Sequence, residues 1–139
     1  MNQQAIFQPF MAMMLLTLVV WVYMYSKRIP FIRNSDLTPD QLTAFEFTRL
    51  SPPAVANPSD NFKNLFELPV VFYALCLYLY VTAQVDQAVL IGAWIFVGFR
   101  VLHSLVHCTV NIVMLRFVLY CLSSLVLWLM LLREVLRLF

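Results

Sequence analysis

Arg100, His103 and His107 are spaced by three and then four residues. At about 100° per residue a helix carries all three on one stripe, and Asn111 extends that stripe if the helix continues. A second set, Asn57, Asn61, Asn64 and Glu67, also recurs every three or four residues and covers one broad helical face. A guanidinium and a carboxylate on neighbouring helices can pair with each other or hold a charged ligand. Amide side chains supply both donors and acceptors. Two neutral imidazoles one turn apart suit zinc. A third zinc ligand is poorly placed, because Cys108 points about 100° away from His107, so no metal is expected. Nor can two histidines on one face of a helix grip opposite faces of a single haem.

The setting makes these residues unusual. Of the 139 residues, 63% are hydrophobic and only 12% charged, with a formal net charge of +2. Soluble domains carry about 25% charged residues, and a chain of this length buries only about two-thirds of the surface its unfolded form exposes. A water-soluble fold could not hide this much Leu, Val and Phe. The composition excludes a nucleic-acid-binding module, a disulfide scaffold and an ordinary soluble enzyme, and it points to an integral membrane protein. The small net charge gives no reason to expect a polyanionic partner. The three cysteines, Cys76, Cys108 and Cys121, are widely spaced, form no CxxC pair and read as small buried hydrophobes. The N-terminal segment has no basic n-region and no small-residue cleavage site, so its apolar run is expected to stay in the mature protein.

The elements that must position the polar residues follow from the apolar runs. A bilayer-crossing helix needs about 20 mostly apolar residues. Such runs cover roughly 6–26, 65–81, 88–106 and 117–132, which predicts an all-α, up-down four-helix transmembrane bundle forming a single domain over 1–139. Lys27 and Arg28 close the first run. Asn57, Pro58 and Asp60 read as an N-cap, a first-position proline and an acid in the first turn. Pro69 should kink the second helix. Ala88 and Gly92 form a small-xxx-small pair that lets a neighbouring helix approach closely. The segment over about 27–57 is a long loop, with a capping-box start at Thr38 to Gln41, Leu42, Phe45 and Phe47 on the membrane surface, and an end at Pro52 and Pro53. It holds Lys27, Arg28, Arg33 and Arg49. The excess of basic residues on this side places the loop in the cytoplasm and both termini outside.

In this frame Glu67 and Arg100 fall within spans, where each ionised side chain costs about 2.5–3.5 kcal/mol. A Glu67–Arg100 ion pair is the cheapest solution. Two polar stripes at one end of an apolar bundle imply a shared polar cavity open to the cytoplasm. Two readings of it stand: polar residues joining helices at about 0.6 kcal/mol per contact, or a ligand site, the usual meaning of intramembrane charge.

The segments NFKNLFELPVVFYAL and FRVLHSLVHCTVNIVMLRFVLY resemble those of the membrane-associated proteins in eicosanoid and glutathione metabolism, and look closest to that family's bacterial branch. Asn64, Glu67 and Pro69 match the family's N-x-x-E followed by proline. Arg100, His103 and His107 match its R-x-x-Y-x-x-x-Y stripe, with histidines in place of the tyrosines. The family's thiolate-activating arginine aligns with Met114, and Arg116 stands two residues on.

The resemblance implies a homotrimer in the inner membrane of a bacterium, or in the endoplasmic reticulum of a eukaryotic cell. It would bind glutathione as co-substrate between subunits and be surrounded by membrane lipids. Asn61, Asn64, Glu67, Arg100, His103 and His107 would line the site. The fork of Arg100 would hold a carboxylate, Glu67 the ammonium and Asn64 the peptide backbone. Lowering a thiol pKa from about 8.5 by two units takes about 2.7 kcal/mol, and Arg116 is the cation placed to supply it. The expected chemistry is glutathione conjugation of a lipophilic electrophile, or reduction of a lipid peroxide. The alternatives are a non-catalytic lipid-binding or scaffold member of the same family, or a small transporter in which Glu67 titrates.

Overall fold

The computed structural model describes residues 2–139. After a short 3-10 helix at Gln3–Ile6, the elements are α1 (Phe7–Asn34), α2 (Ala44–Leu50), α3 (Pro53–Asn64), α4 (Leu68–Val81), α5 (Gln87–Cys108) and α6 (Val113–Leu138). No strand occurs among the described residues. Four stretches are long and apolar enough to cross a bilayer: Gln3–Asn34, Pro53–Val81, Gln87–Cys108 and Val113–Leu138. The protein is therefore an all-α membrane bundle.

Several boundaries differ from those the sequence suggests. The first helix does not stop at Lys27 and Arg28 but runs through them and Pro30 to Asn34. Lysine and arginine end an apolar run, yet both are good helix formers. The expected loop over 27–57 is consequently mostly helical. Its capping box is present, with the Thr38 N–H donating to Gln41 Oε1 at 2.9 Å, but it opens only a 3-10 turn, and α2 starts separately at Ala44. Phe45 is 77% exposed, whereas Phe47 is only 3% exposed. Phe47 packs against the Phe31 ring, at 5.8 Å between centroids, and under the Arg28 guanidinium at 4.3 Å. It therefore belongs to the protein interior and not to the membrane surface.

The second span begins earlier than expected. Pro53 follows the cap residue Pro52, and Pro58 lies inside α3. A proline with its fixed φ is pre-organised for the first helical position, and the tandem prolines take that role one turn or more before Pro58. The proline at 69 does more than kink the helix. It has no N–H to donate to Leu65, and its ring crowds that carbonyl. The chain leaves helical geometry at Glu67 (φ −94°, ψ −103°), and α4 restarts at Leu68. This break leaves the Asn64 carbonyl outside the helix ladder.

The core runs the length of the bundle. Ile6, Met13 and Val20 meet Phe72, Cys76 and Leu79 of α4, Val89, Ala93 and Phe96 of α5, and Leu127 and Met130 of α6. The Phe72 and Phe96 rings stack at 4.6 Å. At Gly92 the α5 backbone comes so close to α6 that an added Cβ would lie 2.9 Å from Met130 Sδ. Gly92 thus provides the close approach expected of a small residue, while Ala88 is exposed.

Candidate functional site

The polar stripe of α5 is present over Arg100, His103 and His107. Arg100, His103 and His107 are all buried on the face turned toward α3 and the start of α6. Arg100 is fully buried, at 0% exposure. Its Nη2 donates to the backbone carbonyl of Asn64 at 2.9 Å, the carbonyl that the break before Pro69 releases. Its guanidinium lies over the Tyr120 ring at 5.5 Å from the centroid, within cation–π reach. Nε and Nη1 are buried and have no hydrogen-bond partner among the described residues. A guanidinium with two free buried donors is poorly satisfied by its own protein.

The expected Glu67–Arg100 ion pair does not form. Glu67 is exposed, and its Oε2 accepts from the Tyr120 hydroxyl at 3.3 Å. Tyr120 thus stands between the two, its ring against Arg100 and its hydroxyl on Glu67. The reason is local: the break at Glu67 turns its side chain outward, and the freed Asn64 carbonyl takes the arginine instead.

Arg116 joins the cluster from α6. Its Nη1 donates to His107 Nε2 at 2.6 Å and to Asn111 Oδ1 at 2.8 Å. Its backbone carbonyl lies 2.8 Å from His103 Nδ1. A carbonyl can only accept, so His103 carries its proton on Nδ1 and leaves Nε2 as an acceptor. Arg116 can only donate, so His107 accepts on Nε2 and carries its proton on Nδ1. Those two remaining ring nitrogens, His103 Nε2 and His107 Nδ1, are buried and unpartnered. The rings meet edge to face at 5.5 Å.

Asn111 does not extend the α5 stripe, because α5 ends at Cys108. Asn111 takes a left-handed conformation (φ 48°), which asparagine tolerates. From that turn its side chain donates to Asn57 Oδ1 at 3.1 Å, which ties α3 to the α5–α6 connection.

The sequence-predicted residues therefore divide. Arg100, His103, His107 and Arg116 converge. Asn64 contributes its backbone carbonyl, and Glu67 sits at the rim through Tyr120. Asn61 turns elsewhere: fully buried, it donates to Cys108 Sγ at 3.4 Å and accepts from Ser104 Oγ at 3.3 Å. Tyr120 also belongs to this cluster, although the three-four spacing on α5 does not point to it. Its position four residues after Arg116, on the same face of a helix, is the clue that would have found it.

Around this cluster no ion pair joins a carboxylate to Arg100 or Arg116 among the described residues. Both cations are held by neutral acceptors: a backbone carbonyl, an imidazole and an amide. Such an arrangement holds positive charge ready for an anion. Beside the same end of α5, an apolar groove of about 480 Å³ runs along α1, lined by Leu16, Val20, Tyr23, Val101, Leu105 and Cys108 among others.

Four apolar helices with a cationic cluster around the buried Arg100 define an integral membrane helical bundle with a polar site inside it. The chain belongs to the MAPEG family, whose sequence model matches residues 6–136. It is thus a membrane protein of the family concerned with glutathione and eicosanoid metabolism. No match was found among curated proteins or among solved structures.

Proposed function

We propose that this protein binds glutathione at the cytoplasm-facing end of α3, α5 and α6, in a site completed between the subunits of a homotrimer. There the glutathione thiol loses its proton and its sulfur bonds to a lipophilic electrophile, or two glutathiones reduce a lipid peroxide to the alcohol and water and leave as their disulfide. The observation that carries this reading is the fully buried Arg100 with Nε and Nη1 free and no carboxylate on it. Glutathione brings two carboxylates, and a guanidinium fork suits one of them. Glu67, at the rim, suits the ammonium. His103 and His107 offer one acceptor and one donor to the peptide groups. The apolar groove along α1 suits the lipophilic substrate. The setting is the inner membrane of a bacterium or the endoplasmic reticulum of a eukaryote.

A second reading, a non-catalytic lipid-binding member of the family, has one observation in its favour. Arg116 is already engaged by His107 and Asn111, so it must give up a contact to meet a thiolate. Thiol consumption by the purified protein with glutathione and a generic lipophilic electrophile separates the two. Conjugation is expected in the parent. In Arg116→Ala, turnover at neutral pH should fall about tenfold or more and recover at alkaline pH, where the thiol ionises unaided. Arg116→Lys should keep part of the activity, because a point charge still favours the thiolate. Equal neutral-pH turnover in parent and Arg116→Ala removes Arg116 from the chemistry, and absence of turnover in the parent favours the non-catalytic reading.

A further inference from the structure

The opposite end of the bundle holds a second polar group buried among apolar side chains. Glu134, on the last turns of α6, is only 2% exposed. Its Oε1 accepts from Arg137 Nη1 at 3.2 Å and lies 3.9 Å from Arg133 Nη1. Its other oxygen, Oε2, is buried with no partner, and so is the hydroxyl of Tyr78 on α4. Both residues line one groove of about 270 Å³ between α4 and α6, whose remaining walls are apolar: Leu75, Leu131, Val135 and Leu138 among others. Glu134 lies fourteen residues beyond Tyr120 on α6, about 20 Å from the Arg100 cluster at 1.5 Å per residue.

Charge decides what fits. Arg133 and Arg137 both also bond Asp86, so two guanidiniums face two carboxylates and the cluster is neutral. A cation or an anion added here would meet no unbalanced partner. What remains open is hydrogen bonding: an acceptor at Glu134 Oε2 and a phenol at Tyr78 that can donate or accept. Buried polar atoms of this kind are normally satisfied. A hydroxyl is a small neutral group that both donates to a carboxylate and accepts from a phenol. The apolar walls need a hydrocarbon chain beside it. We infer that this groove binds a lipophilic alcohol, its chain along Leu75, Leu131 and Val135 and its hydroxyl between Glu134 and Tyr78. A free long-chain alcohol and the glycerol hydroxyl of a partial glyceride share this chemistry.

The test uses the full-length protein in phosphatidylcholine nanodiscs and a long-chain alcohol carrying a photoreactive diazirine in its tail. The label is expected on peptides containing Val71 to Tyr78 and Leu131 to Leu138. Either 1-dodecanol or monolauroylglycerol should compete at least tenfold better than dodecane, and which of them does so identifies the source. Tyr78→Phe, which leaves the charged cluster intact, and Glu134→Leu, which leaves both arginines on Asp86, should each lower labelling about fivefold, the scale of one hydrogen bond. Equal competition by dodecane, or unchanged labelling in both variants, overturns the inference. So does protein-to-protein cross-linking from a photoreactive residue replacing Val135 at the expense of lipid labelling, since that would place a second copy in the groove.

Discussion

The two ends of this bundle each carry a pair of arginines, fully buried only at Arg100, and they satisfy them in opposite ways. At the Asp86 end, Arg133 and Arg137 face Asp86 and Glu134. The Arg133 bonds to Asp86 are paired, one at 2.9 Å, and the Arg137–Asp86 contact is 3.1 Å. Charge there is matched, and the bonds tie the last turns of α6 to the N-cap of α5. At the other end Arg100 and Arg116 meet, among the described residues, a carbonyl, an imidazole, an amide and an aromatic face. The first arrangement is a staple. The second leaves its positive charge without a carboxylate partner among the described residues. Matched charge in a membrane protein secures helices, and unmatched charge marks where a charged ligand belongs.

The contrast can be broken most sharply at Arg137. Removing it deprives buried Glu134 of its nearest cation, and Arg137→Ala should cost about 2 kcal/mol, less than a fully buried pair because Arg137 is partly exposed. Adding Glu134→Leu should restore most of that loss. Unfolding in mild detergent measures both. No loss in Arg137→Ala would show that the staple does not hold the fold.

A smaller effect sharpens the same end. The Arg133 hydrogen bonds hold the Asp86 carboxyl well below the usual carboxylate range. A depressed folded-state value contributes stability that is complete above the unfolded value, about 3.9, and is lost as pH falls toward the folded value. Asp86 is more than a third exposed, so the contribution should stay under about 1 kcal/mol. Thermal unfolding should therefore lose midpoint below about pH 4 in the parent, and Asp86→Asn should flatten that part of the profile. An unchanged acid limb in Asp86→Asn would contradict the assignment.

The smallest effect concerns Glu67. Because it bonds only Tyr120 and sits at the surface, Glu67→Gln should change unfolding free energy by less than about 0.5 kcal/mol. A cost as large as that of Arg137→Ala would make Glu67 the counterion of Arg100 after all and erase the difference between the two ends.

Much of the architecture was legible from composition and periodicity. The apolar runs located the four long helices, and the three-four spacing put Arg100, His103 and His107 on one buried face. Helix ends were harder to read, because hydropathy marks where the bilayer ends and not where hydrogen bonding ends; α1 continues through Lys27 and Arg28 for that reason. The role of Pro69 was half visible. A kink could be read from its missing N–H, but not that the freed Asn64 carbonyl would claim Arg100 and leave Glu67 outside. Such a choice between acceptors depends on the relative placement of α3, α5 and α6. Asn61 shows the same limit: it shares a sequence face with Asn64, yet the packing of α3 on α5 turns it to Ser104 and Cys108. Tyr120 lay hidden as one more aromatic in an apolar helix.

The central claim is that Arg100 is held ready for a carboxylate of glutathione, and calorimetric titration of glutathione into the reconstituted protein tests it most directly. Arg100→Ala should bind at least tenfold more weakly than the parent, as expected for a lost charge-assisted contact of about 1.5–3 kcal/mol. Arg100→Lys keeps the charge without the fork and controls for folding, and it should fall between the two. Saturable binding in the parent with this order of affinities is the predicted result; equal affinity in all three proteins would contradict it.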